Sequence, residues 1–180
     1  MNPSIMPQYR KCQKAVLIVR ILLIAVIICN LLFIWMHSAK VSTESDKTSK
    51  KLATNVAKVV VEDYESLPKT VQQKHVNRLN TKLRSFGHFA EFVPLGILLF
   101  LLALTLVETA DRNILHVFGF CLLFSVALSA LVALGDEVHQ IFVKGRTFQL
   151  QDILVDTLGS LTGCVAAILS ISFFKNKIFG

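Results

Sequence analysis

The sequence predicts an all-α membrane protein with four transmembrane helices and short amphipathic interfacial helices between the first and the second. Three observations carry that prediction. Of the 180 residues, 53% are hydrophobic and only 17% charged, far from the usage of a soluble domain. Mean hydropathy is +0.59, and the apolar residues, 13 Phe among them, gather in four long runs. A disordered chain or an ordinary soluble enzyme does not read this way. The net charge of +7 would suggest nucleic acid in a soluble protein. No recognition motif accompanies the charge, however, and basic flanks beside anionic lipid account for it.

A span needs about 20 mainly apolar residues, because a helix rises about 1.5 Å per residue across a hydrocarbon core of about 30 Å. Within a single domain covering 1–180, the runs fall at about 15–36, 89–107, 114–134 and 153–174. The first follows Arg10, Lys11 and Lys14 as a signal peptide would. Its apolar run is too long for one, and His37-Ser38-Ala39 is a poor cleavage site, so it reads as an uncleaved anchor. Arg20, inside this run, is placed to snorkel toward the headgroups, with burial beside an ion-pair partner as the alternative. The interfacial segment, 37–88, opens with the Ser/Thr-rich turn VSTESDKTS. It continues with helix-period apolar positions at Leu52, Val56, Val59 and Val60 and again at Val76, Leu79, Leu83 and Phe86, parted by Pro68. Two amphipathic helices lying along the membrane face fit this pattern, as does an ordinary helix pair with a solvated basic face. Cys12, Cys29, Cys121 and Cys164 make no CxxC pair and no zinc spacing, and three of them lie inside apolar runs as small hydrophobes.

A charge at the centre of a membrane helix costs about 2.5–3.5 kcal/mol on insertion scales, so ionisable residues gathered at helix ends are informative. Arg84, His88 and Glu91 stand at i, i+4 and i+7, on one face where the second span begins. Asp136, His139 and Gln140 share a face at the end of the third, while Glu137 points elsewhere. The tight loop VKGR brings Arg146, and Asp152, Asp156, Gly159 and Gly163 then form one stripe on the fourth. The two glycines have the GxxxG spacing that lets a neighbouring helix approach closely. Asp156, about one turn inside, needs a cation or a proton for company. Helix parity puts the start of the second span, the end of the third and the start of the fourth on one side of the bilayer, so all these groups can meet there. The opposite short loop offers Glu108, Asp111 and Arg112. A functional polar pocket and an ion-paired lock on the helix ends both fit, and the two can coexist.

As a set, these residues resemble the VanZ-like family of small bacterial membrane proteins. The resemblance rests on the Ser-rich SAKVSTESDKTS after the first span, RSFGHFAEF opening the second, DEVHQIFVKGR closing the third, and Asp152, Asp156, Gly159 and Gly163 beyond it. It covers nearly the whole chain. Ser85 stands where the family often has Lys, and Phe92 where it has Tyr, which removes a phenol from that position. The resemblance implies a multi-pass protein of the bacterial plasma membrane, acting at the cell envelope of Gram-positive bacteria. Some members confer antibiotic resistance by lowering susceptibility to teicoplanin-type glycopeptides. It implies no defined reaction.

Two main functions follow from the residues. In one, a non-catalytic pocket of Arg84, His88, Glu91, Asp136, Glu137, Gln140, Arg146, Asp152 and Asp156 binds an amphiphilic ligand, either a membrane lipid headgroup, a lipid-linked envelope precursor or a lipoglycopeptide. In the other, the protein is a membrane-embedded enzyme acting on a lipid or wall precursor. Glu91 or Asp136 would then be the base, His88 the proton shuttle and Glu137 a further acid–base candidate, with Arg84 and Arg146 holding a phosphate or carboxylate. Asp152 and Asp156 would offer a hard-cation site for Mg²⁺ or Ca²⁺. No GxSxG, HExxH or P-loop signature is present. A transporter fits less well, because the polar residues sit at one face and the midplanes look apolar. Arg10, Lys11, Lys14, Lys175 and Lys177 favour cytoplasmic termini and an extracytoplasmic motif face, whereas the ten Lys/Arg of residues 37–84 pull the other way. Charge is in fact split along the chain: residues 1–84 carry 14 Lys/Arg against 5 Asp/Glu, and residues 85–156 carry 3 against 7.

Overall fold

A computed structural model describes the backbone of residues 6–39, 42–107 and 113–179, and the side chains of 13–39, 47–107 and 113–174. These residues fold as α1 (Met6–Ser38), α2 (Ser42–Val60), a 3₁₀ turn (Tyr64–Ser66), α3 (Lys69–Leu106), α4 (Ile114–Gln140) and α5 (Leu150–Phe179). Among the described residues, α1, α3, α4 and α5 are long and apolar enough to cross a membrane. Their outward faces carry Leu17, Phe33, Leu123, Leu131 and Phe173, all exposed, as lipid-facing side chains can be at no cost. The expected polar features of the loop joining α3 and α4, at Glu108, Asp111 and Arg112, lie outside the described residues, as do Cys12 and the side chains of Arg10, Lys11, Lys175 and Lys177, whereas Lys14 is exposed.

Two expectations for the segment between the first and second spans are corrected. The Ser/Thr-rich stretch is not simply a turn, since α2 already begins at Ser42. The second amphipathic piece, around Val76 to Phe86, is no separate helix along the membrane, because it is continuous with the second span in the 38-residue α3. At about 1.5 Å per residue such a helix is about 57 Å long, nearly twice the hydrocarbon core. Its first half must therefore stand out of the core. Pro68 does not separate two interfacial helices; it precedes the first residue of α3, where its missing N–H costs nothing. Pro94 lies within the same helix and leaves the Ala90 carbonyl without its usual donor.

The protruding half of α3 pairs with α2 through a small core of its own, Ala53, Ala57, Tyr64 and Val76, with Leu79 and Leu83 against it. Burial drives this contact, because outside the bilayer apolar surface gains by leaving water. The small residues Ala53 and Ala57, rather than the expected Leu52, Val59 and Val60, form the packed face of α2; the latter three are exposed. Asp63, in a left-handed conformation, turns the chain between the helices.

In the membrane half, α5 lies tightest against α3. A Cβ at Gly96 would land on the backbone carbonyl of Ser160, one at Gly159 on that of Phe89, and one at Gly163 on that of Val93. Residues without side chains are what allow two helix backbones to approach so closely. Two apolar clusters complete the bundle. One joins Ile27 and Ile34 of α1, Phe92, Leu95 and Leu99 of α3, and Ala133 of α4. The other joins Phe100 and Ala103, Val117 and Cys121, and Cys164 and Ala167. Among the described residues, the partner of Arg20 is Thr105. Its guanidinium donates to the Thr105 carbonyl and reaches Thr105 Oγ1 at 3.4 Å, serving carbonyl groups that the end of α3 leaves without helical partners.

Candidate functional site

The polar residues expected at one face do converge there. The end of α1, the middle of α3, the end of α4 and the start of α5 surround them, and α2 leans over the top. A cavity of about 730 Å³ opens here, lined by Arg84, His88, Glu91, Asp136 and Arg146 together with His37 and Ser38 of α1, Leu52 of α2, and Leu83 and Phe86 of α3. Glu137, Gln140, Asp152 and Asp156 are buried behind it and do not line it.

Two ionisable groups of α3 face different partners. Glu91 meets His37 Nδ1 at 2.5 Å. His88 lies between the two aspartates of α5, with Nδ1 3.4 Å from Asp156 and Nε2 3.9 Å from Asp152. The glycine stripe explains this placement, because Gly159 seats α5 against Phe89 one residue along from His88. The aspartates share that stripe and so face α3.

At the end of α4, Asp136 Oδ2 accepts from Ser38 Oγ and from Gln140 Nε2, both at 3.0 Å. The Gln140 amide oxygen in turn faces Arg146 Nη1 at 3.5 Å. Glu137 does leave the Asp136 face, but inward rather than toward lipid. It is fully buried, and its Oε2 accepts from the Gln149 backbone N–H at 2.7 Å. It thereby ties the α4–α5 loop to the end of α4. Gly145, with φ 80°, makes the reversal that returns Arg146 N–H to the Val143 carbonyl. Burial, and next the neighbouring Arg84, push the Arg146 guanidinium down from its ordinary value, while Asp136, Glu137 and Asp152 pull it up; a guanidinium stays cationic throughout. His139, expected beside Asp136, instead stacks on Trp35 of α1 at 5.5 Å between ring centres.

Among the described residues, several buried polar atoms have no hydrogen-bond partner: Asp136 Oδ1, Glu137 Oε1, Asp156 Oδ2 and Arg146 Nε, while Asp156 Oδ1 has the His88 contact at 3.4 Å. Native proteins satisfy nearly all such atoms, so a cluster of exceptions points to a ligand, water or proton at that place. As to metal, no group of three or more His, Cys, Asp or Glu among the described residues is arranged to hold an ion. What Asp152 and Asp156 face is the His88 imidazole.

Five residues of the site and its surroundings are not apparent from the sequence. His37 and Ser38 close the site from α1, and the only hint was that a fourth helix end belongs on the same face. Gly96 is the α3 partner of the glycine stripe. Ser129 and Ser160, fully buried in mid-bundle, bond to each other at 2.6 Å, so the interior below the site is less apolar than expected. Phe92, where a Tyr was the alternative, is fully buried in the α1–α3–α4 cluster and offers no polar group to the cavity.

A model of the VanZ/LLP1 family matches residues 20–173, most of the chain. The chain belongs to the VanZ/LLP1 family. The match runs from Arg20 in α1 to Phe173 in α5 and so takes in every residue of the site. No match was found among curated proteins or solved structures. The described residues of this VanZ/LLP1 protein are thus all-helical in their regular structure, with four apolar helices of membrane-spanning length and a polar cavity among the helix ends.

Proposed function

We propose that this VanZ/LLP1 protein binds an amphiphilic ligand in the polar cavity at one face of the bacterial plasma membrane. The ligand class is a lipid headgroup, a lipid-linked envelope precursor or a lipoglycopeptide. One observation carries the reading: a cavity of about 730 Å³ whose wall is part charged, with Arg84 and Arg146, and part apolar, with Leu52, Leu83 and Phe86. Such a wall suits a molecule with a charged head and a hydrocarbon body arriving in the plane of the membrane. Asp152 and Asp156 hold His88 in place in this scheme, and Glu137 holds the loop that carries Arg146.

In a Gram-positive host, occupancy of the site by a wall precursor or by the antibiotic lowers glycopeptide susceptibility. The cavity then faces outward and both termini face the cytoplasm. A single Cys at Lys58, in a variant lacking the four native cysteines, would react with an impermeant thiol reagent on intact cells. Labelling only after lysis reverses the orientation. For binding, Arg146→Lys is expected to weaken the susceptibility phenotype by degree at unchanged protein level, because an ammonium cannot form the two-pronged contact of a guanidinium. No change with Arg146→Lys, Glu91→Gln and Asp136→Asn alike would overturn the reading.

The unpartnered oxygens of Asp136 and Glu137, near a His88 held between two aspartates, favour a second reading, in which the site performs acid–base chemistry on its amphiphile. In that case Glu91→Gln or Asp136→Asn abolishes the phenotype outright instead of grading it.

A further inference from the structure

Arg146 and Asp136 line the same cavity, carry opposite charges, and do not pair with each other. Gln140 stands between them, giving its amide N–H to Asp136 and turning its carbonyl to Arg146. Each end of this chain has an atom to spare: Arg146 Nε is a buried donor without an acceptor, and Asp136 Oδ1 a buried acceptor without a donor. Asp136 is only 1% exposed and lines the cavity. Direct pairing would satisfy both groups. A bridging carboxamide instead holds them apart, and a buried polar atom left unsatisfied costs more than the bond it lacks would return.

We infer that the cavity recognises a dipolar headgroup, a phosphate carrying a hydrogen-bond donor such as an ammonium or hydroxyl, with the phosphate on Arg146 and Arg84 and the donor on Asp136. This inference rests on the binding reading above and gives it a ligand chemistry. Guanidinium binds phosphate through charge-assisted, two-pronged bonds. The carboxylate accepts from an ammonium or hydroxyl but has nothing to accept from a quaternary amine. Apolar Leu52, Leu83 and Phe86 on the same wall then take the first part of the hydrocarbon.

The discriminating pair of probes is dihexanoyl phosphatidylethanolamine and dihexanoyl phosphatidylcholine, equal in tail and phosphate and different in the donor. The full chain in detergent is titrated with each, and apparent affinity is read from the rise in thermal midpoint with concentration. The ethanolamine lipid should bind about 10-fold or more tightly than the choline lipid, the ratio that one charge-assisted bond supports. Free phosphoethanolamine should bind far more weakly than either, which separates a lipid from a soluble phosphate as the source of the headgroup. Asp136→Asn should lower ethanolamine-lipid binding to the choline level, with the unfolding midpoint of the lipid-free variant reading whether the fold is kept. Arg146→Gln, a loop substitution, should weaken both lipids by the same factor. Equal binding of the two lipids by the native chain, or a preference that survives Asp136→Asn, overturns the dipolar assignment while leaving an amphiphile site standing. No response to either lipid removes the site itself.

Discussion

Adding one methyl group at Gly96, Gly159 or Gly163 sets two opposing energies against each other. Alanine is the better helix former by about 1 kcal/mol, which favours the substitution. Against it, the new Cβ at Gly96 would meet the Ser160 carbonyl carbon at 2.7 Å, at Gly159 the Phe89 carbonyl carbon at 3.1 Å, and at Gly163 the Val93 carbonyl carbon at 3.0 Å. All are backbone atoms that cannot swing aside, so α3 and α5 must separate, and overpacking of this kind costs about 1–3 kcal/mol. The net expectation is a loss of about 1 kcal/mol per site. At Gly119 and Gly135 of α4 nothing lies within 4 Å of the added Cβ, so only the propensity gain of about 1 kcal/mol remains. Thermal unfolding of the five single variants in detergent should therefore shift downward for the first three and upward for the other two. The first three should also lose the His88 contact to Asp152 and Asp156 as the helices part, visible as a changed His88 imidazole signal by NMR. A shift of the same sign at all five positions would refute the close-approach argument.

Further expectations concern the loop, the opposite face and the protruding hairpin. Glu137→Ala frees the Gln149 N–H and should cost about 1–3 kcal/mol, whereas Glu137→Gln keeps an acceptor and should cost less; unfolding midpoints of the pair check this. Gly145→Ala forces a Cβ into left-handed backbone and should destabilise by about 1–2 kcal/mol, with the loss confined in hydrogen exchange to residues 141–149. Arg20→Ala should speed amide exchange in the last turn of α3, near Thr105, and leave the site face unchanged. The Lys58–Glu65 pair, 2.7 Å apart, raises the Lys58 ammonium above its ordinary value. Its contribution is thus fully present at neutral pH and is lost only as pH climbs through the raised value. Lys58→Ala should leave unfolding nearly unchanged at neutral pH, since exposed pairs contribute little.

Much of this was legible in the sequence because a membrane makes composition speak plainly. The four spans follow from hydropathy, and the face shared by Arg84, His88, Glu91, Asp136 and Arg146 follows from helix parity alone. The Asp152–Asp156–Gly159–Gly163 stripe was readable from spacing, and it does bring both aspartates to α3. The extent of α3 was not readable. Its polar half and apolar half look like two elements, yet no residue between Lys69 and Val93 is a proline, and one glycine at Gly87 does not end a helix. The packed face of α2 is not legible from its large apolar residues, because Ala53 and Ala57 are buried there by virtue of being small. His37 and Ser38 escaped because their partners, Glu91 and Asp136, are more than 50 residues away. The inward turn of Glu137 depends on a backbone N–H in the following loop, which spacing cannot encode.

Whether the cavity among the helix ends holds an amphiphile can be seen in a crystal structure of the full chain grown from a lipidic phase containing phosphatidylethanolamine. Density for a headgroup is expected between Arg84, Arg146 and Asp136, with the acyl chains leaving past Leu52, Leu83 and Phe86. A cavity closed by direct pairing of Arg146 with Asp136, with lipid found only along the outer faces of the helices, would contradict it.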